Sequence, residues 1–277
     1  MLIVFRLAFK LIILVTMMSL SLGCQSMEPL QNTDSKEKSF DQKKSNELII
    51  SMPLDSMFVD TKTRELAKYA GKGNISGIQA LIDQGVDVNS RGNQGVTPLF
   101  WALRRENLAG FKKLLELGAD PNITFASSSI IHWASRLKDT RFLEVALANN
   151  GDPNLYAGHP QKTPIFNTIS VDDGENLAAL KLLLDAGADI DAKTGNEMVF
   201  GMSMGGITPV LAAADIVRYD IVLILLEAGA QYETTDDTGR DLISRIKAVQ
   251  NRFSEGATQK ASLDRVIKWL EEKGVKL

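Results

Sequence analysis

The stretch from Gly95 to Asn122, "GVTPLFWALRRENLAGFKKLLELGADPN", decides the reading, because residues 205–231 repeat its plan as "GGITPVLAAADIVRYDIVLILLEAGAQ". Both hold a Thr-Pro pair, a short apolar stretch, a polar break, a Leu-rich run and then Gly-Ala. Each part has a local cause. Thr caps a helix start, and Pro fits the first helical position, where its missing N–H costs nothing. "LFWAL" and "VLAAA" then predict one short buried helix. A second follows, with Leu108, Phe111, Leu114 and Leu115 on one stripe. Gly118, Gly187 and Gly229 end that helix in the left-handed conformation, and Asn150 takes the same place in between. The Asp/Asn-rich residues beyond it predict a projecting turn.

The phrase recurs along most of the chain. Thr-Pro pairs stand at Thr97-Pro98, Thr163-Pro164 and Thr208-Pro209, with "SIIHWA" from Ser129 in the same role. The turn phrases "GVDVN", "GADPN", "NGDPN", "GADID" and "GAQYE" begin at 85, 118, 150, 187 and 229, so the spacings are 33, 32, 37 and 42 residues. This period and wording resemble the ankyrin repeat over roughly residues 60–250. The resemblance implies an all-α solenoid of helix-turn-helix units joined by short β-hairpin turns, about five repeats with caps. Neither helix of a pair can cover its apolar face alone, so neighbours must stack. Residues 60–84 look like an opening cap. "DDTGRDLISRI" starts a sixth unit with Asp241-Leu242 in place of Thr-Pro, and Leu263, Val266, Ile267 and Leu270 form the inward face of a final helix.

The first residues are a separate object. "MLIVFRLAFKLIILVTMMSLSLGC" carries Arg6 and Lys10, then an uncharged run, then Gly23-Cys24. Two early positive charges before a short apolar region predict an export signal over 1–23. The run is short for a membrane span, which takes about 20 apolar residues. The end of the run resembles the lipobox of bacterial lipoproteins, which implies cleavage before Cys24 and lipidation of its thiol; Ser21 departs from the Leu which that family prefers. Gln25, rather than Asp, implies sorting to the outer membrane by the same resemblance, so the chain is expected to be lipid-anchored and to face the periplasm. Residues 24–56 are polar with mixed charge and read as a flexible tether of roughly 30 Å reach, followed by the repeat domain over 57–277.

Composition removes several function classes. Formal net charge is −3, which does not point to nucleic acid, and two His with one Cys argue against His/Cys metal cages and disulfide scaffolds. The sequence holds neither a G-x-S-x-G elbow nor a phosphate-cradling Gly-Lys loop. His132 takes the His place of the ankyrin T-P-L-H phrase, which implies a structural hydrogen bond within the repeat. No catalysis, no cofactor and no metal are expected.

Ankyrin arrays bind proteins through hairpin tips and inner helices, so those positions are the candidates. Counting from each Thr-Pro gives Lys72, Arg104, Arg105 and Arg136 as a basic row, then Leu137, Ser170, Asp215 and Ile216. Arg suits planar pairing with carboxylates of an acidic partner; the row also reads as an ordinary solvated face. His159, before Thr163, is a candidate exposed contact. An insertion of about ten residues before Thr208 carries Met198, Phe200, Met202 and Met204 among glycines; it suits adaptable contacts or folds back on the array. Trp101 and Trp133, at one place in consecutive repeats, read as packing between repeats.

An ankyrin array behind an acylated terminus resembles the ankyrin lipoproteins encoded beside phospholipase toxins of bacterial type VI secretion, which act as immunity proteins. That resemblance implies non-catalytic neutralisation of a phospholipase effector. A scaffold or stress-protective protein organising another envelope enzyme is the alternative, and direct contact of the basic row with anionic lipid is a third.

Overall fold

In the computed structural model the chain divides into Met1–Asn32 and Thr33–Leu277. The structure describes residues 47–169, 176–196, 198, 199, 202, 203, 205–253 and 257–277, all in the second unit. The export signal and Cys24 lie outside the described residues.

The repeats are helix pairs. They run α1 (Thr61–Lys72) and α2 (Ile75–Asp83), then α3 (Pro98–Arg104) and α4 (Leu108–Glu116), then α5 (Ile130–Ala134) and α6 (Arg141–Ala148). In the fourth pair the first member is a 3₁₀ helix, Pro164–Thr168, followed by α7 (Leu177–Asp185). Its β-branched Ile165, Thr168 and Ile169 are poor helix formers. The fifth pair is α8 (Pro209–Asp215) and α9 (Tyr219–Glu227), and α10 (Leu242–Val249) with α11 (Thr258–Glu272) closes the stack. One continuous core runs through them, from Leu66 past Phe111 and Phe142 to Leu225, Leu263 and Leu270. The expected stripe is there: Phe111, Leu114 and Leu115 are buried and Leu108 packs against them, and in α11 Leu263, Val266 and Leu270 are buried with Ile267 partly so.

The turn phrase sets the registry of the stack. Gly85, Gly118, Asn150, Gly187 and Gly229 all have positive φ, from 62° at Asn150 to 103° at Gly229. The Asp after each of the first four accepts the N–H two residues on, as Asp120 Oδ1 does from Asn122 at 2.8 Å. The third polar residue then bridges to the following repeat. Asn122 Nδ2 donates to the Asn150 carbonyl at 2.8 Å, and its Oδ1 accepts from the Asp152 N–H at 2.7 Å. Asn89 and Asn154 make the same pair of bonds to Gly118 and Asp120, and to Gly187 and Asp189. In the fourth phrase Asp191 stands there. It accepts from the Gln231 N–H at 2.9 Å but, as a carboxylate, has nothing to donate to the Gly229 carbonyl. Asp191→Asn should complete the ladder and stabilise the chain by about 0.5–1.5 kcal/mol, read as a rise in the denaturant midpoint; an unchanged midpoint would refute it.

The Thr-Pro starts differ from expectation in one respect. Ser129 caps its helix, but the side chains of Thr97, Thr163 and Thr208 make no cap bond, and all three hydroxyls are buried without a partner. The reason the hydroxyls are unmatched lies three residues on. Ser129 Oγ–H donates to His132 Nδ1 at 2.8 Å, and His132 Nε2–H donates to the Lys162 carbonyl at 2.9 Å, a direction that the carbonyl imposes. The matching residues elsewhere are Phe100, Phe166 and Leu211, which offer no acceptor. Burial holds the His132 pKa below its ordinary value, against the Lys162 bond that raises it. Ser129→Ala should therefore cost about 1–3 kcal/mol, whereas Thr163→Val, which removes an unmatched hydroxyl, should be neutral or stabilising. Equal losses in thermal melts of the two variants would contradict this.

The folded unit begins before residue 57, the expected end of the tether. Residues 47–51 are helical and Leu54–Met57 forms a further turn. Ile49, Met57 and Phe58 are fully buried in the common core, each worth about 1.5–3 kcal/mol on burial. Asn93 Nδ2 ties this strap down by donating to the Ser56 carbonyl. A polar average over the segment hid its few apolar residues.

Candidate functional site

The strap crosses the end of the row of first helices, where the basic residues cluster. Arg104, the last residue of α3, donates from Nη1 to the carbonyls of Ile49 at 3.2 Å and Met52 at 2.6 Å. Its guanidinium also lies 4.8 Å from the centre of the Trp101 ring. Arg136, one repeat on, repeats the stack over Trp133 at 5.7 Å. The spacing of three residues puts Trp101 and Arg104 on one face of α3, and in both pairs the ring attracts the guanidinium charge. Burial, and then the charge of neighbouring Arg105, pushes the Arg104 pKa down.

Of the other sequence candidates, Lys72, Arg105 and Arg136 are exposed. The structure sets Arg104 and Arg136 each over a tryptophan in consecutive repeats, and Arg104 also holds the strap. Trp101 and Trp133 are only half-buried: Phe100 packs against Trp133 at 5.4 Å between ring centres, while Gly71 of the preceding repeat makes room for Trp101. They serve as repeat contacts and as platforms for arginine.

The far half of the row is different. Ser170 lies outside the described residues. Asp215 is engaged by Arg245, whose Nε donates to its Oδ1 at 2.8 Å, so it is not a spare acidic contact. Arg245 also reaches the buried Asp236 at 2.7 Å.

His159 is exposed at the tip of the turn that Ala157 and Lys162 close, and its peptide bond to Pro160 is cis. In the insertion, Met198–Val199 pairs antiparallel with Met202–Ser203. Phe200 and Met204 lie outside the described residues. The base of this hairpin is fixed by Thr194, whose N–H donates to Ile207 and whose carbonyl accepts from Gly206. It is braced on one side by Gln161, which accepts from the Gly195 N–H, and on the other by Asp237, which donates to the Gly205 carbonyl.

The residues that sequence reasoning missed belong to the strap. Ile50 joins Phe100, Leu103, Arg104, Trp133 and Leu137 around a cavity of about 180 Å³. The signal was present as Leu48-Ile49-Ile50 and Met57-Phe58 in an otherwise polar stretch.

Four likenesses bear on this arrangement. The family model described as Ankyrin repeats (3 copies) matches residues 50–125. Its start lies inside the strap. Among curated proteins the chain is 33% identical over 113 residues to Protein PhlB of Serratia liquefaciens, covering 40% of this chain and 49% of that one. It is 30% identical over 113 residues to the human ankyrin repeat, SAM and basic leucine zipper domain-containing protein 1, covering 39% of this chain and 24% of that one. The chain thus spans half or less of the length of these relatives. The crystal structure of the ankyrin repeat domain of Bcl-3, a member of the IkappaB protein family, superposes with a TM-score of 0.60 at 20% identity, covering 76% of this chain and 86% of that one. The fold is an all-α ankyrin solenoid, an architecture that serves protein–protein interaction and is typically non-catalytic.

Proposed function

We propose that this chain is a protein-binding module held at the cell envelope by a lipid on Cys24, and that it neutralises a secreted phospholipase effector by covering it. The observation that carries the binding part is the cationic row over half-exposed indoles: Arg104 on Trp101 and Arg136 on Trp133, with exposed Lys72 and Arg105 beside them. Arginines already held over rings lose less freedom on meeting a carboxylate, which favours a protein surface bearing acids. The tether expected from the polar sequence after Cys24 supports the effector reading, since a short flexible link would give an effective concentration of the order of millimolar at the membrane that a lipase must reach.

Two experiments test it. Cys24→Ser should move the chain from the membrane fraction to the soluble one. Periplasmic expression of a phospholipase effector encoded beside this chain should kill cells that lack the chain and spare those that carry it. Equal killing in both strains would end the neutralising role.

A further inference from the structure

We propose that the slot between the strap and the third repeat is a docking pocket for one apolar side chain, carried on an acidic segment of the partner protein. This deepens the protein-binding reading above and rests on it. Ile50 forms one wall, Phe100 and Leu103 the floor, and Trp133 and Leu137 the opposite wall. Phe100 and Leu103 are buried, Trp133 and Leu137 half-buried, and Ile50 is 49% exposed at the mouth. The volume of about 180 Å³ suits a single Phe or Leu side chain, since a cavity of roughly 150 Å³ takes a benzene ring. Leu48, also half exposed, extends the apolar lip along the strap.

Charge selects the occupant. Beside the lining residues in sequence Arg105, Arg136 and Lys138 are exposed, and Arg104 and Glu106 are themselves among the lining residues. Among the described residues Lys72 and Arg105 make no ion pair. Burial depresses the Arg104 pKa, and the positive charge of Arg105 beside it adds to that. An acidic segment would enter this positive field and release its apolar side chain into the slot. A lipid surface fits less well, because it would call for apolar side chains that project beyond their charged neighbours, and here the apolar floor lies below a cationic rim.

The strap is part of the pocket and not a separable leader. Arg104 fixes it through the Ile49 and Met52 carbonyls, which places Ile50 opposite Trp133. A fragment beginning at residue 57 would lack a wall.

The test uses the full chain and ten-residue peptides with Asp/Glu flanks and a central Phe or Leu. Two control peptides carry a central Ala, or Lys flanks. Fluorescence polarisation should show binding of the acidic Phe and Leu peptides that weakens with added salt. The affinity should fall about tenfold or more in Ile50→Ser and Leu137→Ser. Ile50 is exposed, so its substitution leaves the fold intact, and circular dichroism on both variants checks this. The proposal is overturned if the acidic apolar peptides do not bind, if the central Ala peptide binds equally, or if both variants bind like the parent. It is also overturned if the same substitutions abolish binding to phosphatidylglycerol vesicles, or self-association of the chain, instead of peptide binding. Effector killing separates the two readings. Protection by variants that have lost the peptide leaves neutralisation standing without the pocket, and peptide binding without any protection leaves the pocket standing without neutralisation.

Discussion

Arg245→Ala is expected to lower the stability of the closing helix pair by about 3–5 kcal/mol, the loss typical of stranding one partner of a buried ion pair. Arg245 and Asp236 are 6% and 5% exposed. The guanidinium donates to Asp236 at 2.7 Å, to Asp215 at 2.8 Å and to the Arg240 carbonyl at 2.7 Å. Removing it leaves the Asp236 carboxylate in a dry site with only the Thr238 hydroxyl, two turn N–H groups and the distant Arg240 side chain. Since repeats stabilise one another only through neighbours, the damage should begin at α10 and α11 and spread inward. Hydrogen exchange resolved along the chain reads this directly. Protection in α10 unchanged from the parent would show that the pair contributes little.

The same site sets an acid limit. Burial alone would raise the Asp236 pKa, but the Thr238 hydroxyl, the Arg240 N–H, Arg245 and the Thr238 N–H together hold it well below the usual carboxylate range. A carboxylate depressed on folding contributes stability that is present above its unfolded value, near 3.9, and is lost as pH falls through its folded value. Thermal stability should therefore drop as pH falls below about 4. Asp236→Asn should be less stable at neutral pH and show a shallower acid dependence. Parallel acid profiles of parent and variant would remove Asp236 from the account.

Gly110→Val is the other change expected to be severe. A Cβ on Gly110 would sit 1.9 Å from the Ala70 carbonyl oxygen, a backbone atom at the end of α1 in the neighbouring repeat. Replacing Gly by Ala inside a helix returns about 1 kcal/mol of propensity. That gain cannot offset a clash which separates two stacked helices, where overpacking costs about 1–3 kcal/mol and sometimes more. Gly110→Ala should thus come out destabilising by about 2 kcal/mol and Gly110→Val by more. Gly77 occupies the matching place in the first repeat, where a Cβ would meet the Tyr69 ring and the Asn74 amide, both side chains. Gly77→Ala should cost much less, and equal midpoints for the two alanine variants would contradict the packing argument.

Much of this architecture is legible in the sequence. Period, Thr-Pro starts and Gly-Asp-Asn turns are local signals. Positive φ at Asn150 and the cap at Asp241, which accepts from the Ser244 N–H at 2.7 Å, follow from single residues and their neighbours. The resemblance implied the bond of His132 to Ser129 within the repeat, but not its second bond, to the Lys162 carbonyl 30 residues on. The site was legible only as a row of charges. Lys72, Arg105 and Arg136 could be counted along the repeats, whereas the strap's attachment to Arg104 could not, because its bonds join residues 52 and 55 positions apart. The same distance problem hid the use of Asp215, whose partner Arg245 lies 30 residues on.

By itself, then, the sequence determined the repeat unit and its count, since hydrogen bonds within a turn and a helix's apolar stripe depend on residues a few positions apart. Tertiary structure alone decided where the array begins, which charges are spent inside it, and that Ile50 closes a slot over Phe100 and Trp133. Those outcomes depend on which surfaces meet once the helices have stacked, and burial then fixes the partner of each charge.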